Sequence, residues 1–221
     1  MNKYDYEYER VNDYCYPGSF VLRNRLDIRD GDVLAAFERE ITATRIQQIL
    51  AFPVKGAFDL QHLRAIHRAI FSDVYEWAGE LRVVNIAKGN QFCSCVHLET
   101  YAEGIFTKLK TEKRLTGTTP EKMPERMTYY LSEINVLHPF REGNGRAQRV
   151  FAEYLARAAG WSISFADVAE REMIEASALA FAMDYGPMTR MFEHILSPIT
   201  PEEQRDFRVK IGMSRLPKEK Q

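Results

Sequence analysis

The sequence predicts an all-α domain of about seven or eight helices carrying one short β-hairpin. Three observations predict it. Apolar residues recur at helical spacing through most of the 221 residues. Proline and glycine stand at the ends of those runs rather than inside them. A single stretch, 82–96, breaks the pattern with β-branched residues on both sides of a turn. With 45% hydrophobic and 28% charged residues the chain can build one good core.

In chain order, residues 1–13 (Tyr4, Asp5, Tyr6, Glu7, Tyr8, Glu9 among them) read as a polar N-terminal extension, and 14–198 as the domain. Leu34, Phe37, Ile41, Ile46, Ile49 and Leu50 mark a helix over about 32–51, ended before Pro53. Leu60 to Val74 gives a second. Leu81 to Val96 is β-rich around Lys88-Gly89-Asn90, and a lone hairpin must pack on helices to persist. Leu98, Tyr101, Ile105 and Leu109 mark a third helix, and Met127, Tyr130, Leu131 and Ile134 a fourth. Val150, Phe151, Tyr154, Leu155 and Ala158 mark a fifth, stopped at Gly160. Asp167-x-x-Glu170 resembles a capping box opening a helix to about Met183. Pro187 opens the last, with Met188, Met191, Phe192 and Ile195 inward. Residues 199–221 read as a mobile, mildly basic tail.

Chemistry concentrates in His138-Pro-Phe-Arg-Glu-Gly-Asn-Gly-Arg-Ala-Gln-Arg149, between the fourth and fifth helices. A helix N-terminus leaves about four amides without intrahelical partners and carries about half a positive charge. Gly143 and Gly145 let the chain turn there and bring amides close to an anion, which makes a phosphate cradle. Arg146 and Arg149, three apart, can add guanidinium forks. Glu142 is an anion beside this positive cluster, a place that suits a bridging Mg²⁺. His138 can take a proton from an attacking hydroxyl, and Phe140 anchors the loop in the core. Singly these residues have plain readings: Gly-Asn-Gly is a common turn and paired arginines are usually a solvated face. Their joint register is poorly explained by loop chemistry. His67, alone on an apolar helix, reads as a satisfied core histidine.

His138-Pro-Phe-x-Glu142-Gly-Asn-Gly-Arg146-x-x-Arg149 resembles the signature of the Fic family. Residues 66–82 and 14–25 are similar to the family's pre-flap stretch and to the start of its bacterial members, so the likeness spans 14–198. The resemblance implies a Fic fold and transfer of AMP from ATP to a hydroxyl of a target protein. On that analogy His138 deprotonates a target Tyr, Thr or Ser, and Glu142 holds Mg²⁺. The Gly143 and Gly145 backbone with Asn144 binds the α- and β-phosphates, Arg146 the β-phosphate and Arg149 the γ-phosphate. The hairpin becomes a flap (Val83, Val84, Asn85, Ile86, Ala87, Lys88, Gly89, Asn90, Gln91, Phe92) docking the target by strand addition at an open edge. Glu142 replaces the family's commoner Asp. The family's inhibitory Ser/Thr-x-x-x-Glu-Gly/Asn is matched only in part, by Ser72 to Glu76 followed by Trp77. A separate small antitoxin supplying a glutamate to Arg149 is therefore expected.

Transfer of another nucleotide or phosphate moiety on the same scaffold remains the near alternative, and a non-catalytic nucleotide-binding adaptor the more distant one. A net charge of −1, without a basic stripe, argues against a nucleic-acid module or an acidic-membrane partner. Cys15, Cys93 and Cys95 are too few for a disulfide framework and read as reduced thiols of a cytoplasmic protein; the resemblance implies a bacterial one, or one delivered into a host cell. No signal peptide or long apolar run is evident.

Overall fold

A computed structural model describes residues 7–8, 14–88 and 90–213. The elements run β1 (Glu7–Tyr8), α1 (Gly31–Ala51), α2 (Leu60–Phe71), β2 (Ile86–Lys88), β3 (Asn90–Gln91), α3 (Leu98–Thr111), α4 (Met123–Leu137) and α5 (Asn144–Ala159). There follow β4 (Trp161–Ile163), α6 (Glu170–Phe181), α7 (Gly186–Ile195), β5 (Leu196–Pro198) and α8 (Pro201–Lys210). The predicted all-α class with a small antiparallel hairpin is what the structure shows.

Helix α5 is the centre of the fold. Ala147, Val150, Phe151, Tyr154, Leu155 and Ala158 are buried along it, and it packs against α2, α4, β4 and α8. Phe151 meets Phe58 and Phe106 edge to face, the arrangement aromatic quadrupoles favour. Burying such a ring contributes about 1.5–3 kcal/mol. Side chains start the outer helices: Asp30 accepts from the amides of Asp32 (2.9 Å) and Val33 (3.0 Å), and Asp59 from that of His62 (2.8 Å). Gly160, at φ 101°, ends α5 in the left-handed conformation its sequence position suggested.

Four expectations need correction. Residues 201–210 are helix, not tail: Thr200 and Glu203 form a capping box (2.8 and 3.2 Å), and buried Phe207 seats α8 on Tyr154 of α5. The domain therefore runs on at least to Met213, and residues 214–221 lie outside those described. Helix α6 has no capping box; Asp167 ends a short 3₁₀ turn and Ala169 stands at the N-cap. Among the described residues the β-rich stretch pairs only from Ile86 to Phe92; on either side Arg82 takes the carbonyls of Val84 and Cys93 onto its guanidinium. Finally, the hairpin edge expected to be open is paired: Glu7 lies opposite Ala87 and Tyr8 opposite Ile86. The rest of the predicted 1–13 extension, and Gly89, lie outside the described residues.

Candidate active site

Helix α4 ends at His138, whose φ of 43° turns the chain sharply toward Pro139 and Phe140. Its Nδ1 lies 3.1 Å from the carbonyl of Asn135 and donates to it in the tautomer that fits, leaving Nε2 as acceptor. Burial lowers its pKa to about 3, so the ring is neutral at pH 7, the form that can take a proton. Phe92 of the flap stacks on it at 3.8 Å between centroids.

His67 is structural, as its setting suggested. Its Nδ1 accepts from the amide of Gly79 (2.8 Å), and Nε2 donates to the carbonyl of Glu142 (2.9 Å). The ring stacks on Phe140 and Phe71 at 3.8 and 4.6 Å. It thus fixes the loop from beneath, with Phe140 fully buried against it. Asn144 clamps the same loop: its Oδ1 accepts from the amide of Phe140 (2.9 Å) and its Nδ2 donates to that residue's carbonyl (2.7 Å). The expected phosphate contact of Asn144 is thereby left to its backbone.

Gly143, at φ 78°, leads into α5. The first amide to bond back is that of Ala147, to the carbonyl of Gly143 (3.2 Å), so the amides of Asn144, Gly145 and Arg146 have no intrahelical acceptor. Arg149 and Gly145 line a cavity of about 600 Å³ together with His138, Lys88 and Phe92. Its far wall carries Phe165, Val168, Met173, Ile174 and Phe181, with Glu170 and Ser177 as polar members. Pockets of this size take drug- and nucleotide-sized ligands. Desolvation, then the neighbouring Arg146, lowers the pKa of Arg149 against the opposing charge of Glu170 across the cavity; among the described residues no ion pair within 4 Å involves Arg149.

Arg146 is directed elsewhere. It donates to Glu38 of α1 (2.5 Å) and to Thr42 (3.0 Å), and lies over the ring of Phe71 at 4.6 Å. The other oxygen of Glu38 accepts from the hydroxyl of Tyr75. The β-phosphate contact expected of Arg146 competes with this anchor. Glu142 stands 3.8 Å from Arg146 and accepts from the amide of Gly143 (2.8 Å). Burial and the charge of Glu38 raise its pKa against the pull of that amide and of Arg146. A carboxylate short of positive charge suits a divalent cation. Among the described residues no group of three metal-ligating side chains forms, so Mg²⁺ would need substrate phosphates to complete its shell.

The flap residues occupy varied positions. Val83 is exposed, Val84 and Ile86 are buried, and Asn85 accepts from the amide of Cys95 (2.9 Å). Ala87 and Lys88 are half-buried in β2, Asn90 and Gln91 form β3, and Phe92 covers His138. Arg82, Glu38 and the cavity face of α6 were not singled out from sequence. Buried Arg82 ties the flap to the motif, donating to the carbonyl of His138 (2.9 Å) while its amide donates to Pro139 (2.9 Å). An arginine beside Leu81 in a β-rich run was the available signal.

A model of the Fic/DOC family matches residues 57–156. The probable protein adenylyltransferase y4lH of Sinorhizobium fredii is 39% identical over 184 residues, covering 82% of this chain and 94% of that relative. The probable protein adenylyltransferase Fic of Salmonella typhimurium is 40% identical over 186 residues, covering 83% and 92%. The BepC effector of Bartonella tribocorum, solved with bound AMPPNP, superposes with a TM-score of 0.80 at 26% identity, covering 86% of this chain and 98% of that one. The chain belongs to the Fic/DOC family. Among the described residues, no helix is long and apolar enough to cross a membrane.

Proposed function

We propose that the protein is a nucleotidyltransferase that moves AMP from ATP onto a Tyr, Thr or Ser hydroxyl of target proteins. The observation that carries this is a neutral, orientation-locked His138 opening on the same cavity as Gly145 and Arg149. Relatives named protein adenylyltransferase, and the AMPPNP-bound neighbour, support the same chemistry.

Backbone amides at the start of α5 and the Arg149 guanidinium receive the phosphates, and the wall from Phe165 to Phe181 receives the base. The target hydroxyl oxygen bonds to the α-phosphorus as its proton passes to Nε2 of His138. The bond from the α-phosphorus to the bridging oxygen breaks, and pyrophosphate leaves. Anionic phosphates beside His138 oppose the effect of burial and raise its basicity when substrate is bound. Glu142 is the residue that would hold Mg²⁺, which neutralises phosphate charge when bound. Arg146, anchored by Glu38, keeps the N-terminus of α5 and Glu142 in register.

Arg149, which lines the cavity and forms no ion pair among the described residues, fits a small partner that supplies a glutamate and excludes the γ-phosphate. The protein acts as a toxin or delivered effector under such control. Incubating the chain with α-labelled ATP and Mg²⁺ in bacterial and in host lysate, beside His138→Ala, tests the transfer. Labelled protein bands that vanish with His138→Ala are expected. Absence of label in both lysates, or label that survives the substitution, removes the proposal.

A further inference from the structure

The outer edge of the flap is already occupied by this chain's own N-terminal strand. Glu7 and Tyr8 pair antiparallel with Ala87 and Ile86. The carbonyl of Ile86 is used on the hairpin's inner side, accepting from the amide of Phe92 (3.3 Å). Successive residues of a strand direct their polar groups to opposite edges, so Ala87 is the residue whose amide and carbonyl face the N-terminal strand. A second contact runs in the same direction: the Tyr14 hydroxyl accepts from the amide of Val83 (3.2 Å). Tyr14 also packs on Trp77 and lies beneath the Arg141 guanidinium, which fixes where the N-terminal segment leaves the domain. Among the described residues, 14 thus lies beside 83, 8 beside 86 and 7 beside 87.

We propose that the N-terminal segment is a tethered strand that competes in cis with extended target segments for the outer edge of β2. The regulatory half of this rests on the reading of the flap as the target-docking edge; the pairing itself does not. Strand addition gives affinity through backbone hydrogen bonds and is tolerant of sequence, so one occupant excludes another. The tether holds the occupant at an effective concentration on the order of millimolar, so a weak pairing suffices to filter out targets of low affinity. In sequence the segment alternates Tyr4, Tyr6 and Tyr8 with Asp5, Glu7 and Glu9, a pattern compatible with an edge strand. A target that displaces it is thus an extended segment of the kind the segment itself imitates.

Amide exchange at Ala87 tests the docking without any catalysis. It is compared in the full chain, in a chain lacking residues 1–13, and in Glu7→Pro, which removes the amide at the pairing position. Exchange at Ala87 is expected to be at least about tenfold faster in both altered chains. Adding a synthetic peptide of residues 1–13 to the truncated chain restores protection, while amides of α5 stay unchanged as a control for folding. Equal exchange in all three chains overturns the docking. The same chains are then compared for labelling of lysate proteins from α-labelled ATP, where truncation and Glu7→Pro are each expected to raise the rate severalfold. Lost protection with unaltered labelling overturns the competition. Lost protection with no labelling by any chain tells against the transferase reading and leaves the docked strand standing.

Discussion

Gly143→Ala bears on the geometry of the phosphate cradle more than any other single change. The residue sits at φ 78°, where an L side chain costs about 1–2 kcal/mol. A Cβ built there lies 2.1, 2.4 and 2.8 Å from atoms of the Phe71 ring. That ring is fully buried, stacked on His67 at 4.6 Å, with Arg146 above it, so it has nowhere to move. Overpacking of this kind costs about 1–3 kcal/mol. The two effects sum to about 2–5 kcal/mol, and at this chain length each kcal/mol moves Tm by about 2–4 °C. A fall in Tm of about 4–20 °C is expected by circular dichroism. Because relief comes through displacement of the loop that aims the α5 amides, ATP affinity by calorimetry should also fall at least about tenfold at a temperature where the variant is folded. An unchanged Tm with unchanged ATP affinity would refute both the packing argument and the cradle.

Three further outcomes follow from the same contacts. Glu38→Gln weakens the anchor of Arg146; the pair is partly buried, with side chains 12% and 23% exposed, so a loss of about 1–2 kcal/mol is expected in urea unfolding, with a raised KM for ATP. Unaltered stability and KM would show that the anchor is idle. Burial lowers the pKa of His67 to about 3, so its contribution is complete above the unfolded value of about 6.5 and drains as pH falls through 6.5 toward 3. The stability gap between wild type and His67→Gln should therefore narrow by about 2 kcal/mol from pH 7 to pH 5, and a constant gap contradicts a neutral buried ring. Arg82→Lys loses the fork that joins His138 to the flap carbonyls and leaves buried acceptors unpaired. A destabilisation of about 2–4 kcal/mol with faster amide exchange at Val84 to Phe92 is expected, and unchanged exchange would mean that the flap is held by other contacts.

Much of the fold was legible because its helices obey local rules. Met188, Met191, Phe192 and Ile195 recur on one face and are buried in α7. Leu98, Ile105 and Leu109 do the same in α3. Helix α8 escaped notice although Thr200-Pro-Glu-Glu203 carries both a capping box and a proline at the first turn; its charge concealed the buried apolar anchor Phe207. The reverse held at Asp167-x-x-Glu170, a spacing that looks like a cap but closes a 3₁₀ turn. Within the site, the motif's spacing placed His138, Gly145 and Arg149 on one cavity, since a loop and the first helical turn leave little freedom. Long-range partners were beyond it. Nothing near Arg146 in sequence announces Glu38, 108 residues earlier. The half-buried Met173, Ile174 and Phe181 line the cavity, and helical spacing does not mark them, because a cavity wall and a core face share one periodicity. Pairing of Glu7 and Tyr8 with the flap is likewise tertiary, since polar and aromatic residues in alternation fit either an extension or an edge strand.

Two facts define the proposed chemistry: which part of ATP reaches the target, and whether His138 is the base. Parallel labelling with α-labelled and γ-labelled ATP, using wild type and His138→Ala against one lysate, measures both at once. AMP transfer through His138 predicts protein label from the α-position only, abolished in His138→Ala while ATP affinity by calorimetry is retained. Label from the γ-position, or α-label undiminished by His138→Ala, would contradict it.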